Sequence, residues 1–212
     1  MATSQLTKGN ITLRGSTQIV VEFFDYSINS ILFQRGLYPP EDFKMVKKYG
    51  LNMLVTTDDA LQTYLKQVMS QLNEWMLDGK ISKLVLVINS KETMEVLERW
   101  QFDIQIVSPE NGGQTENKSG AAPQKTEKEI HAEIQAIIRQ ITASVTFLPV
   151  LEEKCSFNIL VYADKDVEVP TTWIDSDPHY IKKNSEQVKL RSFSTNIHKI
   201  DALVAYRLDD EV

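Results

Sequence analysis

The side chains able to act as nucleophiles, bases or metal ligands are few and widely separated. His131, His179 and His198 stand far apart, and none has ligand spacing to another histidine or to Cys155. A cysteine activated by a distant histidine would make this an enzyme, the remote alternative. Cys155, however, opens the apolar run CSFNILVYA, where a buried structural thiol is the expected state. Asp164 and Asp166 in ADKDVE resemble a cation loop but lack the glycine and downstream glutamate of a calcium site, so a solvated turn is expected. No glycine-rich phosphate loop and no nucleophile elbow occurs. The expectation is therefore a non-enzymatic protein without metal or cofactor. Trp173 lies in a polar, proline-flanked stretch and either fills a core gap or anchors a contact.

The elements that must carry any site are clearer. In Thr126–Pro149, the residues Ile130, Ile134, Ile137, Ile138, Ile141 and Val145 recur along one stripe of a 3.6-residue helix. Thr126 and Glu129 have the spacing of a capping box, and Pro149 stops the segment. Ala132, Ala136 and Ala143 lie on the other side with Arg139 among them and Gln140 beside it. Alanine is the best helix former, but small residues also leave a helix approachable by another protein.

A first helix is expected to be capped by Ser16 or Thr17 and to bury Ile19, Val20, Phe23, Phe24, Ile28, Ile31 and Leu32 before Gly36. Ile11–Leu13 forms a short apolar patch ahead of it. Glu41–Tyr49 reads as a turn or two of amphipathic helix, and Asn52–Thr56 as extended. A second helix starts at Asp58 or Asp59 and buries Leu61, Leu65, Val68, Leu72, Trp75 and Met76. Ile81–Asn89 reads as a strand covered on both faces, and Val96–Val107 alternates strictly, the two joined as an antiparallel hairpin. Residues 108–125 read as a mobile loop. Cys155–Ala163, Val188–Ser194 and Ile197–Arg207 complete an α+β domain with a largely antiparallel sheet.

With 212 residues, 42% hydrophobic and 25% charged, the chain is expected to form one globular domain. A net charge of −6 speaks against broad nucleic-acid binding. One cysteine excludes an internal disulfide framework and fits a reducing, intracellular compartment, and no stretch reads as a signal peptide or membrane span.

Seven dispersed stretches carry a family resemblance: TLRGS (Thr12–Ser16), SILFQRGLYP (Ser30–Pro39), KYGLNMLV (Lys48–Val55), LERWQFDI (Leu97–Ile104), IRQITASVTFLP (Ile138–Pro149), LVYADKD (Leu160–Asp166) and LRSFSTNIHKI (Leu190–Ile200). Together they resemble the HORMA-domain spindle assembly checkpoint family, mitotic arrest deficient protein two type, from Ile11 to Arg207. The resemblance implies three helices on one side of a sheet, an N-terminal switch segment over 1–15, a core over 16–163 and a C-terminal "safety belt" over 164–212. In the implied open state the belt hairpin covers the strand Cys155–Ala163. In the closed state it pairs at the opposite edge, where the segment around Leu13 had sat, and the vacated strand receives a partner's peptide.

By this resemblance the peptide-binding edge is Ser156, Phe157, Asn158, Ile159, Leu160, Val161 and Tyr162. The belt residues are Trp173, Val188, Leu190, Phe193, Ile197, Ile200, Val204 and Tyr206; the dimer contacts are Arg139, Gln140 and Phe147; the switch residue is Leu13. Implied partners are mitotic arrest deficient protein one, the activator subunit of the anaphase-promoting complex, a second copy in an open–closed dimer, and an AAA+ ATPase remodeller with its adaptor. Nucleic acid and membrane insertion are not implied. The implied locations are nucleus and cytoplasm, kinetochores in mitosis, and the nuclear envelope. An adaptor of translesion polymerase or of the meiotic axis, sharing the fold, is the alternative.

Overall fold

A computed structural model describes residues 11–107 and 125–208. The loop expected over 108–125, apart from Lys125, and the stretches 1–10 and 209–212 lie outside the described residues. Helix α1 spans Leu13–Gln34. It begins earlier than expected because Thr12, not Ser16 or Thr17, is the cap: its hydroxyl accepts the Gly15 amide at 3.1 Å. Ser16 and Thr17 are instead wholly buried in the helix. The Arg35 amide closes the last turn, and Gly36 follows at φ +65°.

Residues Glu41–Tyr49 are not the expected helical turns. A single 3-10 turn at Pro40–Asp42 leads into strand β1 (Phe43–Lys48), which pairs with β2 (Leu51–Thr56). Tyr49 and Gly50 both take positive φ, the two-residue hairpin geometry that matches strand twist. Pairing with Leu51–Thr56 overrides the weak helical spacing of Phe43, Val46 and Lys47.

Helix α2 (Asp59–Leu77) starts where Asp58 accepts the Leu61 amide at 2.7 Å, and it buries all six residues of its predicted stripe. Strands β3 (Ile81–Ser90) and β4 (Val96–Ile106) follow as the expected hairpin. Ile106, at the end of the alternation, is exposed. Helix α3 (Glu127–Ala143) carries the predicted capping box: Glu129 accepts the Thr126 amide at 2.7 Å while Thr126 accepts the Glu129 amide. Those bonds hold the Glu129 carboxyl below its usual range. Its stripe stops at Ile141. A 3-10 turn then rotates the chain, so Ser144 is buried and Val145, expected inside, is exposed.

Strands β5 (Cys155–Ala163), β6 (Ser185–Ser194) and β7 (His198–Arg207) complete a five-stranded antiparallel sheet in the order β5-β3-β4-β7-β6. Ile197 falls in the β6–β7 turn, one residue before the strand. Trp100, Phe102, Ile200 and Val204 point into one cluster with the three helices. There Phe23 meets Phe102 and Phe193 edge-on, at 5.7 and 4.8 Å. Two polar clusters are buried in this layer. Arg35 pairs with Glu98, Nε to Oε1 at 2.8 Å, and also donates to the Pro149 carbonyl; Trp100 Nε1 donates to Glu98 at 3.1 Å. Ser16 Oγ lies 2.6 Å from both Thr195 Oγ1 and His198 Nδ1, fastening α1 to the β6–β7 turn.

Candidate functional site: an open strand edge beneath a crossing segment

Strand β5 is the outermost strand of the sheet, and its far side has no strand partner among the described residues. In an antiparallel ladder, alternate residues aim both backbone polar groups to the same side. The Asp164 amide bonds to the Lys80 carbonyl beside β3, so the even-numbered residues face the ladder. Phe157, Ile159 and Val161 therefore turn N–H and C=O toward the open side. The Tyr64 hydroxyl, from α2, lies within hydrogen-bonding reach of the Ile159 amide, and burial pushes its phenol pKa up. Side chains split the other way. Phe157, Ile159 and Val161 pack toward the helices, while Asn158, Leu160 and Tyr162 lie on the outer face beside Val87, Val85 and Lys83. Ser156 lies at the start of the edge, half-buried beside Asn89.

After Ala163 the chain leaves the sheet and crosses it before re-entering at β6. Lys80 pairs with Asp166 at 2.6 Å, Trp75 Nε1 donates to the Glu168 carbonyl, and Trp173 stacks edge-on against Trp75 at 5.0 Å. Trp173 is thus half-buried against the rim of the core and also lines the open side. Farther on, the Arg99 guanidinium donates to the Pro178 carbonyl and to the Tyr162 hydroxyl, with Tyr180 over its face at 4.9 Å. Between β5, α2 and this segment runs a groove of about 960 Å³. Val169, Ile174 and Tyr180 line it, and Ile174 is 86% exposed there. A row of backbone donors and acceptors beside an apolar wall can take up an extended chain as a further strand.

The expected belt residues other than Trp173 gather at the opposite edge of the sheet. Leu190, Phe193, Ile200, Val204 and Tyr206 are buried, and Val188 packs on the same cluster. Ile197 is half-buried, and its carbonyl accepts the Val107 amide. The hairpin's place beside β4 is the one the resemblance assigns to the closed state. Leu13 lies in the first turn of α1 and is 41% exposed. Arg139 is exposed on α3, and Phe147 is exposed near Tyr206. Gln140 is half-buried, its amide oxygen accepting the Arg191 N–H at 2.6 Å.

Cys155 is only half-buried, not enclosed as expected, because the β5 edge is uncovered; burial and Glu153 nonetheless push its thiol pKa up. Among the described residues no group of three or more His, Cys, Asp or Glu side chains could hold a metal ion, and no helix is long and apolar enough to cross a membrane. Sequence reasoning missed Tyr64 and Arg99 as site residues. Tyr64 stands at the margin of the α2 apolar stripe, three residues after Leu61, and Arg99 on the polar phase of β4; neither position sets the residue apart in the sequence.

The family described as HORMA domain matches residues 16–198. The mitotic spindle checkpoint component mad2 of Schizosaccharomyces pombe is 58% identical over 200 residues, covering 94% of this chain and 96% of that protein. This chain belongs to the MAD2 family of HORMA-domain spindle checkpoint proteins. The human mitotic spindle assembly checkpoint protein MAD2A is 51% identical, covering 98% of each chain. Among solved structures, a chain of the crystal structure of the mitotic checkpoint complex superposes with a TM-score of 0.81 at 57% identity, covering 92% of this chain and 99% of that one. The MAD2 membership agrees with the resemblance read from the seven sequence stretches and with the α+β, largely antiparallel fold.

Proposed function

We propose that this checkpoint protein works as a peptide clamp: a partner's extended segment adds to the outer edge of β5 and is held there by the crossing segment and the docked β6–β7 hairpin. The observation that carries this reading is the unpaired β5 edge facing a groove walled by α2 and by residues 164–180. The occupants are segments of mitotic arrest deficient protein one and of the activator subunit of the anaphase-promoting complex. Holding the activator delays anaphase until kinetochores attach, so the protein signals without catalysis. It acts at kinetochores in mitosis and otherwise resides in nucleus, cytoplasm and nuclear envelope.

The same hairpin can pair beside β5 in an open state, with the segment around Leu13 taking its place at β4. Two pairings of similar free energy make a switch. Closed molecules recruit open ones through Arg139, Gln140 and Phe147, and an AAA+ ATPase with its adaptor returns the closed form to the open one.

The clamp is tested by Val161→Pro. The Val161 amide faces the groove, not the β3 ladder, so proline removes one edge donor while sparing the sheet. Affinity capture from mitotic cells is expected to recover both checkpoint partners with the wild type and to lose them with the variant, at unchanged circular dichroism. Undiminished recovery of both by the variant refutes the clamp. Recovery of translesion-polymerase or meiotic-axis proteins by the wild type would point to the alternative adaptor role.

A further inference from the structure

Arg99 is 5% exposed, and buried guanidinium groups are ordinarily held by a carboxylate. Here, among the described residues, its polar partners are all neutral. Nη1 donates to Gln101 Oε1 at 2.6 Å, Nη2 to the Tyr162 hydroxyl at 2.9 Å and Nε to the Pro178 carbonyl at 3.3 Å; the Tyr180 ring covers its face. The sheet-borne partners are themselves fixed by a closed ring of contacts on the outer face. Gln101 donates to Asp103 at 2.9 Å, Asp103 pairs with Lys83 at 3.4 Å, and Lys83 Nζ sits 5.2 Å from the centre of the Tyr162 ring. That ring spans β4, β3 and β5 and holds the guanidinium in one orientation whether or not the crossing segment is in place. The remaining two contacts, Pro178 and Tyr180, belong to the crossing segment and are lost when it lifts.

We propose that Arg99 is the latch of the crossing segment, a positioning residue that sets how long an occupant of the β5 groove is retained. The proposal rests on the clamp reading, because Asp175–Tyr180 form the groove wall that the latch holds down. The fork of donors explains why a lysine would not serve: a single ammonium cannot reach Gln101, Tyr162 and Pro178 at once while presenting a flat face to Tyr180. Neutral partners suit a latch that must open, since lifting the segment strands no buried anion.

The test uses the full chain and two readouts. In limited trypsin digestion of the free protein, Arg99→Lys is expected to speed cleavage after the exposed Lys182 and Lys183 on the order of tenfold, leaving cleavage in α3 and β7 unchanged. Tyr180→Ala, at a position 63% exposed and so harmless to the core, is expected to do the same, and Tyr180→Phe to behave as wild type. Release of a fluorescein-labelled synthetic peptide from mitotic arrest deficient protein one is expected to quicken by the same order in the first two variants only. Wild-type cleavage rates at Lys182 and Lys183 in both Arg99→Lys and Tyr180→Ala overturn the latch, as does faster cleavage with unaltered release. If the wild type takes up no peptide, the clamp reading fails separately, and the digestion alone decides whether Arg99 fastens the segment.

Discussion

Removing Glu98 should cost this fold more than removing any exposed carboxylate, and the structure sets the size. Glu98 is 2% exposed and Arg35 is 8% exposed. Burial pushes the Glu98 carboxyl up, while Arg35 and the Trp100 indole pull it down, so the charged form survives only because of those partners. Glu98→Ala leaves a buried guanidinium with the Pro149 carbonyl as its remaining acceptor. Breaking a buried pair from one side costs about 3–5 kcal/mol, a large share of the ~5–15 kcal/mol that holds a domain together. Glu98→Gln keeps one acceptor and should cost less, about 1–3 kcal/mol. The double variant Arg35→Met with Glu98→Leu removes both charges and should lose far less than the sum of the Arg35→Met and Glu98→Leu single losses. Urea unfolding followed by tryptophan fluorescence, with circular dichroism as a second probe, gives the values for the wild type, Glu98→Ala, Glu98→Gln, the two singles of the cycle and the double. A loss below about 1 kcal/mol for Glu98→Ala, or strict additivity in the double variant, would show that the pair does not join α1, β4 and the chain at Pro149 as described.

Three further outcomes are expected. Burial holds His198 below its ordinary pKa of 6.5, so the docked hairpin binds its proton later than the undocked or unfolded chain does. Stability is therefore intact above about pH 6.5 and falls as pH drops below it, by up to ~1.4 kcal/mol per unit until the lowered pKa is reached. Unfolding between about pH 7 and 5 should show this fall and His198→Gln should abolish it; parallel curves would mean the ring is not held neutral. Leu13→Ala should move free protein toward the state with β7 beside β4, because Leu13 is already 41% exposed there and has less burial to lose. A loss of only ~1.4 kcal/mol in the other state shifts the ratio tenfold, and two-dimensional NMR would register an unchanged ratio as a failure. Arg139→Glu should weaken self-association by light scattering without altering the circular dichroism, since the side chain projects from α3 into solvent; unfolding instead would make Arg139 structural.

Much of the scaffold was legible because its signals are local. The α3 capping box lies within four residues, the α2 stripe is a single repeated spacing, and the β4 alternation needs no partner to be seen. Errors arose where strand pairing, a change of helical pitch or a distant contact decides. Phe43–Lys48 is a strand because Leu51–Thr56 pairs with it, and Val145 turns outward because Ser144 begins a tighter helical turn. Thr12 caps α1 in place of Ser16 because Ser16 is taken by Thr195 and His198, far along the chain. The strand that forms the groove was visible, as were the two strands of the β6–β7 hairpin. Tyr64 and Arg99 were not, since an aromatic at the margin of an apolar stripe and an arginine on a polar phase look ordinary until β5 lies against the first and the crossing segment against the second. Glu98 was likewise hidden, being an acidic residue among hydrophobic neighbours whose partner stands on another element.

The connection from β5 to β6 has a length that matters. Ala163 and Ser185 lie at opposite ends and opposite edges of the sheet. Traversing four strand spacings and most of a strand's length takes roughly 35 Å. Residues 164–184, fully extended, reach roughly 70 Å. About half of that tether is slack, gathered at present against Trp75, Lys80 and Arg99. Slack of this size lets the tether bow outward by more than a strand's width while every β6–β7 and β4–β7 bond stays made. On the clamp reading, a chain could then pass beneath the tether without the hairpin being relocated, and a tether shortened around 165–172 would lose that freedom while the hairpin stays docked.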